Sequence, residues 1–328
     1  MTLRVGLIGL GTMGRTHAAA YQRMPNVELV AVADLRPELT QPYKDRGIAV
    51  YSDGRALIEQ ADVDVIDVCL PTFLHRPFVE LAAAKGRHVF CEKPLARTYE
   101  DGLAMVEACR RAGVKFAVGH VVRFSPQYVK AKEIVDSGQI GQPVTVSTMR
   151  GGGGFPRGWQ DWYANFEWSG GLVLDLIIHD FDYLRWVFGE VERVFARGTA
   201  GREYNRYEYA LASIRFKNGV IANVEGSWFD HGGFQTHMEI AGEKGLLSHN
   251  SVDASPLLTV LQTTEAAEGV PVPKSPLVNS PYQLELQHFI SCIERDEEPL
   301  TSGEEALKSL QVSLAAMESI ATGKPVEL

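Results

Sequence analysis

Through about residue 122, short apolar runs alternate with longer amphipathic stretches. The runs are Arg4–Ile8, Glu28–Ala33, Val63–Cys69, His88–Cys91 and Lys115–Val118. Their apolar residues are continuous rather than alternating, the pattern of parallel strands buried on both faces. Between them Thr12–Met24, Pro37–Arg46, Gly54–Gln60, His75–Lys85 and Thr98–Ala112 read as helices. Gly86 and Gly113 fall just past two of these, where a left-handed residue commonly ends a helix. Repeated strand–helix–strand units predict an α/β domain with a doubly wound parallel sheet over residues 1–122.

After residue 122 the rhythm changes. A helix over Pro126–Ser137 and a turn at Gly138–Gly141 lead into longer strands in which apolar and polar residues alternate. These are Val144–Met149, Val191–Arg197, Tyr207–Phe216, Val220–Trp228, Thr236–Ala241 and Leu257–Leu261. Alternation marks a sheet with one face on a core and one toward water. Lys217-Asn218-Gly219 supplies the Asn-Gly of a hairpin. One helix, about Gly171–Val187, interrupts the series, and Pro281–Arg295 and Gly303–Ala321 close the chain. The expectation for 123–328 is an α+β domain around a largely antiparallel open sheet. No internal repeat is visible, and no low-complexity tract beyond the Pro-containing loop 269–281.

Composition removes whole classes of function. Asp+Glu outnumber Lys+Arg 41 to 32, giving a net charge of −9 with no dense basic stripe, which argues against an electrostatic nucleic-acid binder. No segment offers a run of apolar residues long enough for a membrane-spanning helix. Val5–Leu10 is apolar but short, glycine-rich and without a cleavage pattern, so a cytoplasmic location is expected. Cys69, Cys91, Cys109 and Cys292 form no Cys-x-x-Cys, and no histidine pair has zinc-finger spacing, so no metal is expected.

Gly9-Leu10-Gly11-Thr12-Met13-Gly14 is a G-x-G-x-x-G. In a chain with 31 glycines the motif counts only in context, and the context is right. It follows the strand Arg4–Ile8 directly and opens the helix Thr12–Met24. Gly9 permits the tight turn, Gly11 the approach of a pyrophosphate and Gly14 close helix–strand packing. The helix start at Thr12 and Met13 offers N–H groups and a positive dipole end to phosphates. Asp34 ends the second strand, where its carboxylate can accept bonds from both ribose hydroxyls and repel a 2′-phosphate. This is a Rossmann fingerprint, favouring NAD; Arg36, after Leu35, leaves NADP open.

Further blocks resemble the glucose-fructose oxidoreductase / inositol dehydrogenase / MocA-like (Gfo/Idh/MocA) oxidoreductases. They are Val5–Ala18, Val68–His75, His88–Leu95, Arg123–Pro126, Gly170–Asp175 with Ile178–Asp182, and Tyr282–Leu310, in order along the whole chain. The resemblance implies NAD(P)-dependent hydride transfer at a hydroxyl carbon of a sugar, inositol or related polyol. It also implies a homodimer or homotetramer. Two departures stand out: Leu70-Pro71-Thr72 where relatives often carry Thr-Pro-Asn, and Val122-Arg123-Phe124 where many carry Arg-Arg-Phe. Cofactor contacts through Leu70, Pro71, His75 and Glu92 remain expected.

Lys93 follows a buried strand in Glu92-Lys93-Pro94, at the sheet edge where ligands of such folds bind. A lysine there can stabilise a developing alkoxide, and Pro94 restricts its backbone. The alternative is a surface lysine paired with Glu92. Asp175 and His179 stand four apart and share a face if helical, with Asp182 adjoining it. A histidine suits proton transfer near neutral pH, and Asp175 can hold its imidazolium. A surface ion pair is the plainer reading of the same spacing. The resemblance implies that Lys93, Asp175 and His179 are catalytic and touch substrate. Phe155, Trp159, Trp162, Tyr163, Phe166 and Trp168 crowd a loop after Gly151–Gly154, either as sugar-stacking faces or as a loop anchor. Trp162 is one candidate substrate contact, with His120, Arg123 and Arg157. Two other activities use such a fold: NAD-retaining lyases or glycosidases that oxidise transiently, and non-catalytic dinucleotide-sensing regulators.

Overall fold

The first strands form where the apolar runs are continuous. The computed structural model describes residues 2–199, 208–229, 232–253 and 280–328. The chain begins β1 (Leu3–Ile8), α1 (Thr12–Tyr21), β2 (Val27–Ala33), α2 (Pro37–Lys44), β3 (Ala49–Tyr51) and α3 (Gly54–Gln60). It continues β4 (Val65–Val68), α4 (His75–Ala84), β5 (His88–Cys91), α5 (Tyr99–Ala112) and β6 (Phe116–Val118). These strands pair in parallel in the order β3-β2-β1-β4-β5-β6. The order reverses between β1 and β4, which opens a crevice beyond their carboxyl ends. Local chemistry sets the helix limits: the Asp53 carboxylate caps α3, the Thr98 hydroxyl caps α5, and Gly113 ends α5 at φ 66°. The edge strand β3 is absent from the sequence expectation, being only three residues long.

The second half runs α6 (Pro126–Asp136), β7 (Pro143–Gly151), α7 (Phe166–Ser169), α8 (Gly171–Asp175), α9 (Ile178–Phe188), β8 (Val191–Gly198) and β9 (Tyr209–Phe216). Then come β10 (Ile221–Ser227), β11 (Gln235–Gly242), β12 (Gly245–Asn250), α10 (Pro281–Arg295), α11 (Gly303–Thr322) and β13 (Val326–Glu327). Seven strands lie in the order β12-β11-β7-β10-β9-β8-β13. All pairs are antiparallel except β7 with β10. Residues alternate strictly along β9, with Ala210, Ala212, Ile214 and Phe216 buried and their neighbours toward solvent. The covered face packs with α6, α8, α9 and the later part of α11 through Tyr128, Leu172, Phe181, Leu184 and Ala316. β12 and β13 were not expected; the expected strand Leu257–Leu261 lies outside the described residues.

The chain divides into Met1–Val121 with Lys274–Lys308, and Val122–Pro273 with Ser309–Leu328. A single cut at 122 therefore misses a return. Leu286, Phe289 and Ile290 of α10 join the first unit's core beside Leu7, Ala18 and Tyr21. The Phe289 ring lies 5.6 Å from that of Phe90 on β5.

Candidate active site

The glycine loop is shaped as its residue types require. Gly9 sits at φ 92°, and a Cβ there would run into the Cys69 carbonyl oxygen. A Cβ on Gly14 would strike the Gly9 carbonyl oxygen. Gly11 differs: its φ is −64° and its missing Cβ would meet open space. Gly9 and Gly14 thus serve packing, while Gly11 leaves room for a group from outside. Gly11 is also the N-cap of α1 and offers no side chain, leaving the N–H groups of the first turn, at Thr12 and Met13, without a side-chain cap. These residues fit a bound dinucleotide.

Asp34 follows β2. Its Oδ2 accepts the Leu10 N–H at 2.7 Å and its Oδ1 the Arg36 N–H at 2.9 Å. The Arg36 guanidinium adds Nε to Oδ1 at 3.0 Å and Nη2 to Oδ2 at 3.1 Å. Burial pushes the carboxyl up, but the bonds from Arg36 and Leu10 outweigh it and hold it below the usual range. Asp34 therefore stays ionised and ties the glycine loop to the end of β2. Leu35 between them is exposed.

Lys93 stands just beyond β5, half-buried, and its bond to Pro94 is cis. Glu92 is buried; its Oε2 accepts the Lys93 N–H at 3.0 Å and its Oε1 lies 3.1 Å from His17 Nε2. Next to it, Leu70 and Pro71 lead from β4 into α4. His75, expected at the cofactor, contacts main chain on both sides. Its Nε2 lies 2.8 Å from the Leu70 carbonyl oxygen and its Nδ1 3.2 Å from that of Leu95. Burial pushes this ring's pKa down. It stitches the loop after β4 to the segment after Lys93, its single N–H serving one carbonyl at a time while the ring is neutral. His120, after β6, is buried in the same unit.

In the second unit the expected helix Gly171–Val187 is two helices. Between them Ile177 N–H reaches back to the Leu172 carbonyl and His179 N–H to that of Leu176, so the regular ladder is broken at Leu176–Ile177. Asp175 ends α8 and is buried, while His179 lies half-buried in the first turn of α9. Glu208 caps α8, its Oε2 accepting the Leu172 N–H at 2.6 Å; burial pushes this carboxyl up, and Asp175 pushes it further.

Arg123, expected to touch substrate, is buried and paired. Its Nε and Nη2 each lie 2.8 Å from an Asp182 oxygen, and the Ser309 hydroxyl donates to the same carboxylate at 2.9 Å. The guanidinium also lies over the Trp186 ring at 5.8 Å. A second buried pair fixes the same helix, with Arg150 Nε 2.7 Å from Asp180 Oδ2. Trp162 is 8% exposed and lies 4.0 Å, ring to ring, from Tyr163, while Phe155 meets Trp228 at 4.9 Å. These two contacts are of the kind a loop anchor makes. Arg157 in that loop is exposed.

Known proteins match both halves. The model "Oxidoreductase family, NAD-binding Rossmann fold" matches residues 3–120, and the "GFO/IDH/MocA C-terminal domain" matches 128–248. A myo-inositol 2-dehydrogenase of Thermotoga maritima is 32% identical, over 99% of this chain and 98% of that one. The chain belongs to the Gfo/Idh/MocA oxidoreductase family. Among other Gfo/Idh/MocA relatives, the scyllo-inositol 2-dehydrogenase (NAD(+)) of Bacillus subtilis is 30% identical over 99% of this chain and 96% of its own. The crystal structure of scyllo-inositol dehydrogenase from Lactobacillus casei, with bound NAD(H) and scyllo-inositol, superposes at a TM-score of 0.79. It is 25% identical and covers 100% of this chain and 99% of that one. No helix among the described residues is long and apolar enough to cross a membrane.

Two buried residues of this Gfo/Idh/MocA chain, His17 and Asp67, were not expected at any site. Their ligand atoms and that of Cys69 lie within 4.8 Å of one another, close enough to share an ion, but each is already hydrogen-bonded to another of the group. A visible signal existed, since Asp67 is a charged residue inside the apolar run Val63–Cys69.

Proposed function

We propose that the protein transfers a hydride between NAD and a hydroxyl carbon of an inositol, sugar or related polyol. The observation that carries this reading is Lys93 at the carboxyl end of β5, its backbone N–H held by buried Glu92, beside a loop shaped for a dinucleotide. The names of the inositol-oxidising relatives support the substrate class. When bound, the nicotinamide supplies the hydride acceptor. Gly11 and the first turn of α1 hold the pyrophosphate, and Asp34 receives the adenosine ribose. Lys93 donates a hydrogen bond to the reacting hydroxyl and stabilises the oxygen as its proton leaves. His179 takes that proton, and Asp175 supports the imidazolium. The Asp34 carboxylate repels a 2′-phosphate, which favours NAD over NADP.

A second copy of the chain is the proposed partner. Tyr209, Leu211 and Ile221 are exposed on the uncovered face of the seven-stranded sheet, the face proposed to meet a second copy. Four free thiols agree with a reducing cytoplasm.

Purified protein, NAD and a panel including myo- and scyllo-inositol should give growing NADH absorbance. Lys93→Ala and His179→Ala should each lower kcat by about 10²–10⁴-fold while keeping NAD affinity. Full turnover in both variants sinks the assignment. A nucleotide that copurifies, with no net NADH from any polyol, would point to transient oxidation and elimination. NAD binding without any turnover would point to a sensor.

A further inference from the structure

The strand β4 is buried at every position, yet it carries a carboxylate, Asp67. His17 on α1 is equally buried, and its Nδ1 lies 2.9 Å from Asp67 Oδ2. The Tyr21 hydroxyl donates to the same oxygen at 2.9 Å. Cys69 Sγ lies 3.3 Å from His17 Nδ1 and 3.4 Å from Asp67 Oδ1. At the other end of the ring, Nε2 is 3.1 Å from Glu92 Oε1. Gly119 leaves space for that carboxylate, because a Cβ there would stand 3.1 Å from Glu92 Oε2.

One imidazole thus lies between two buried carboxylates, hydrogen-bonded to Asp67 and in ion-pair contact with Glu92, and it can pair with both as a cation only when both nitrogens carry protons. Burial opposes the charged ring, but its interactions with Cys69 and with the Asp67 carboxylate raise its pKa well above the usual value. Burial and Asp67 also push the Cys69 thiol up. Burial pushes Glu92 up as well, yet His17 holds it below the ordinary range.

We propose that His17 is a positioning residue: by bridging Asp67 and Glu92 it locks the Glu92 carboxylate onto the Lys93 N–H and so sets where the Lys93 ammonium points. The inference rests on the reading of Lys93 as the lysine that stabilises the reacting oxygen. Without the ring, Glu92 Oε1 loses the ion-pair contact that fixes its rotamer, and Lys93 loses its aim rather than its charge. A misplacement of about 1 Å in a reacting group costs on the order of 10²-fold in rate.

The test uses two variants. His17→Leu removes both ring nitrogens. His17→Gln reaches only one carboxylate, and is the variant to use if His17→Leu does not fold. Lysines of the whole protein are dimethylated with ¹³C-formaldehyde, and the Lys93 signal is assigned by its loss in Lys93→Arg. In either His17 variant the Lys93 signal should move while the other lysine signals stay. With myo-inositol, or the panel polyol turned over fastest, kcat should fall about 10²-fold with NAD Kd and polyol KM within about twofold. An unmoved Lys93 signal, a concerted change in all lysine signals, or an unchanged kcat overturns the proposal. So does one equivalent of a transition metal in the purified protein, because the ring nitrogens would then be ligands. Lys93→Ala with full turnover instead overturns the catalytic reading alone, since the Lys93 signal still reports whether His17 places that side chain.

Discussion

Replacing Arg123 with alanine separates a structural clamp from a substrate contact. Both partners of the Arg123–Asp182 pair are 1% exposed, and two bonds of 2.8 Å join them. Truncating the arginine removes both of these bonds from the buried Asp182 carboxylate, to which the Ser309 hydroxyl also donates. Breaking one half of such a buried pair costs about 3–5 kcal/mol, because a buried ionised group loses its bidentate partner. For a unit of this size each kcal/mol lowers the melting temperature by about 2–4 °C, so Arg123→Ala should melt roughly 6–20 °C lower. The double variant Arg123→Met/Asp182→Leu should recover most of that loss, since two apolar groups need no partner. Calorimetry of the three proteins measures both effects. A single variant that melts within about 2 °C of the unaltered protein, with polyol KM raised tenfold or more, would refute the clamp.

The two glycines of the fingerprint should respond differently. Gly14→Ala drives a methyl into the Gly9 carbonyl and should destabilise the protein by about 1–3 kcal/mol, visible as a lower melting temperature without ligand. Gly11→Ala meets open space and should leave that melting temperature unchanged while weakening NAD binding in calorimetric titration. Asp34→Ser removes the charge that repels a 2′-phosphate and leaves Arg36 available to it. The ratio of kcat/KM for NADP over NAD should rise at least about tenfold, and an unchanged ratio would dismiss Asp34 as the discriminating group. Cys109 is pushed up to about 12 by burial, with Glu304 adding to it. Its folded pKa lies above the unfolded value of 9.0, so its stabilising contribution is complete below pH 9 and is lost as pH rises toward 12. Cys109→Ala should flatten the fall in denaturant midpoint over that window.

Continuous apolar runs made β1, β4 and β5 legible, because both faces of a central parallel strand are dry and every position reports burial. β3 and β13 were not, since strands of three and two residues exist only through the neighbour they pair with. The break at Leu176–Ile177 was equally hidden. Residues 171–178 are buried all round, so the sequence there has no polar phase to show where a helix slips. Lys93 could be placed from its strand alone. Arg123 could not be assigned, because its partner Asp182 is 59 residues away and reads locally as one more polar residue near His179. The same distance problem hid His17, whose partner Asp67 lies 50 residues on.

The return of α10 to the first unit bears on how the chain is made. A ribosome releases residue 121 with the parallel sheet complete in sequence, yet Leu286, Phe289 and Ile290 of its core are still to come. At synthesis rates of about 5–20 residues per second, that gap lasts roughly 10–40 s. Throughout it the side of the sheet that α10 will cover, around Tyr21 and Phe90, remains open to water and to other nascent chains. The nucleotide-binding half is first in the gene but among the last parts to be finished.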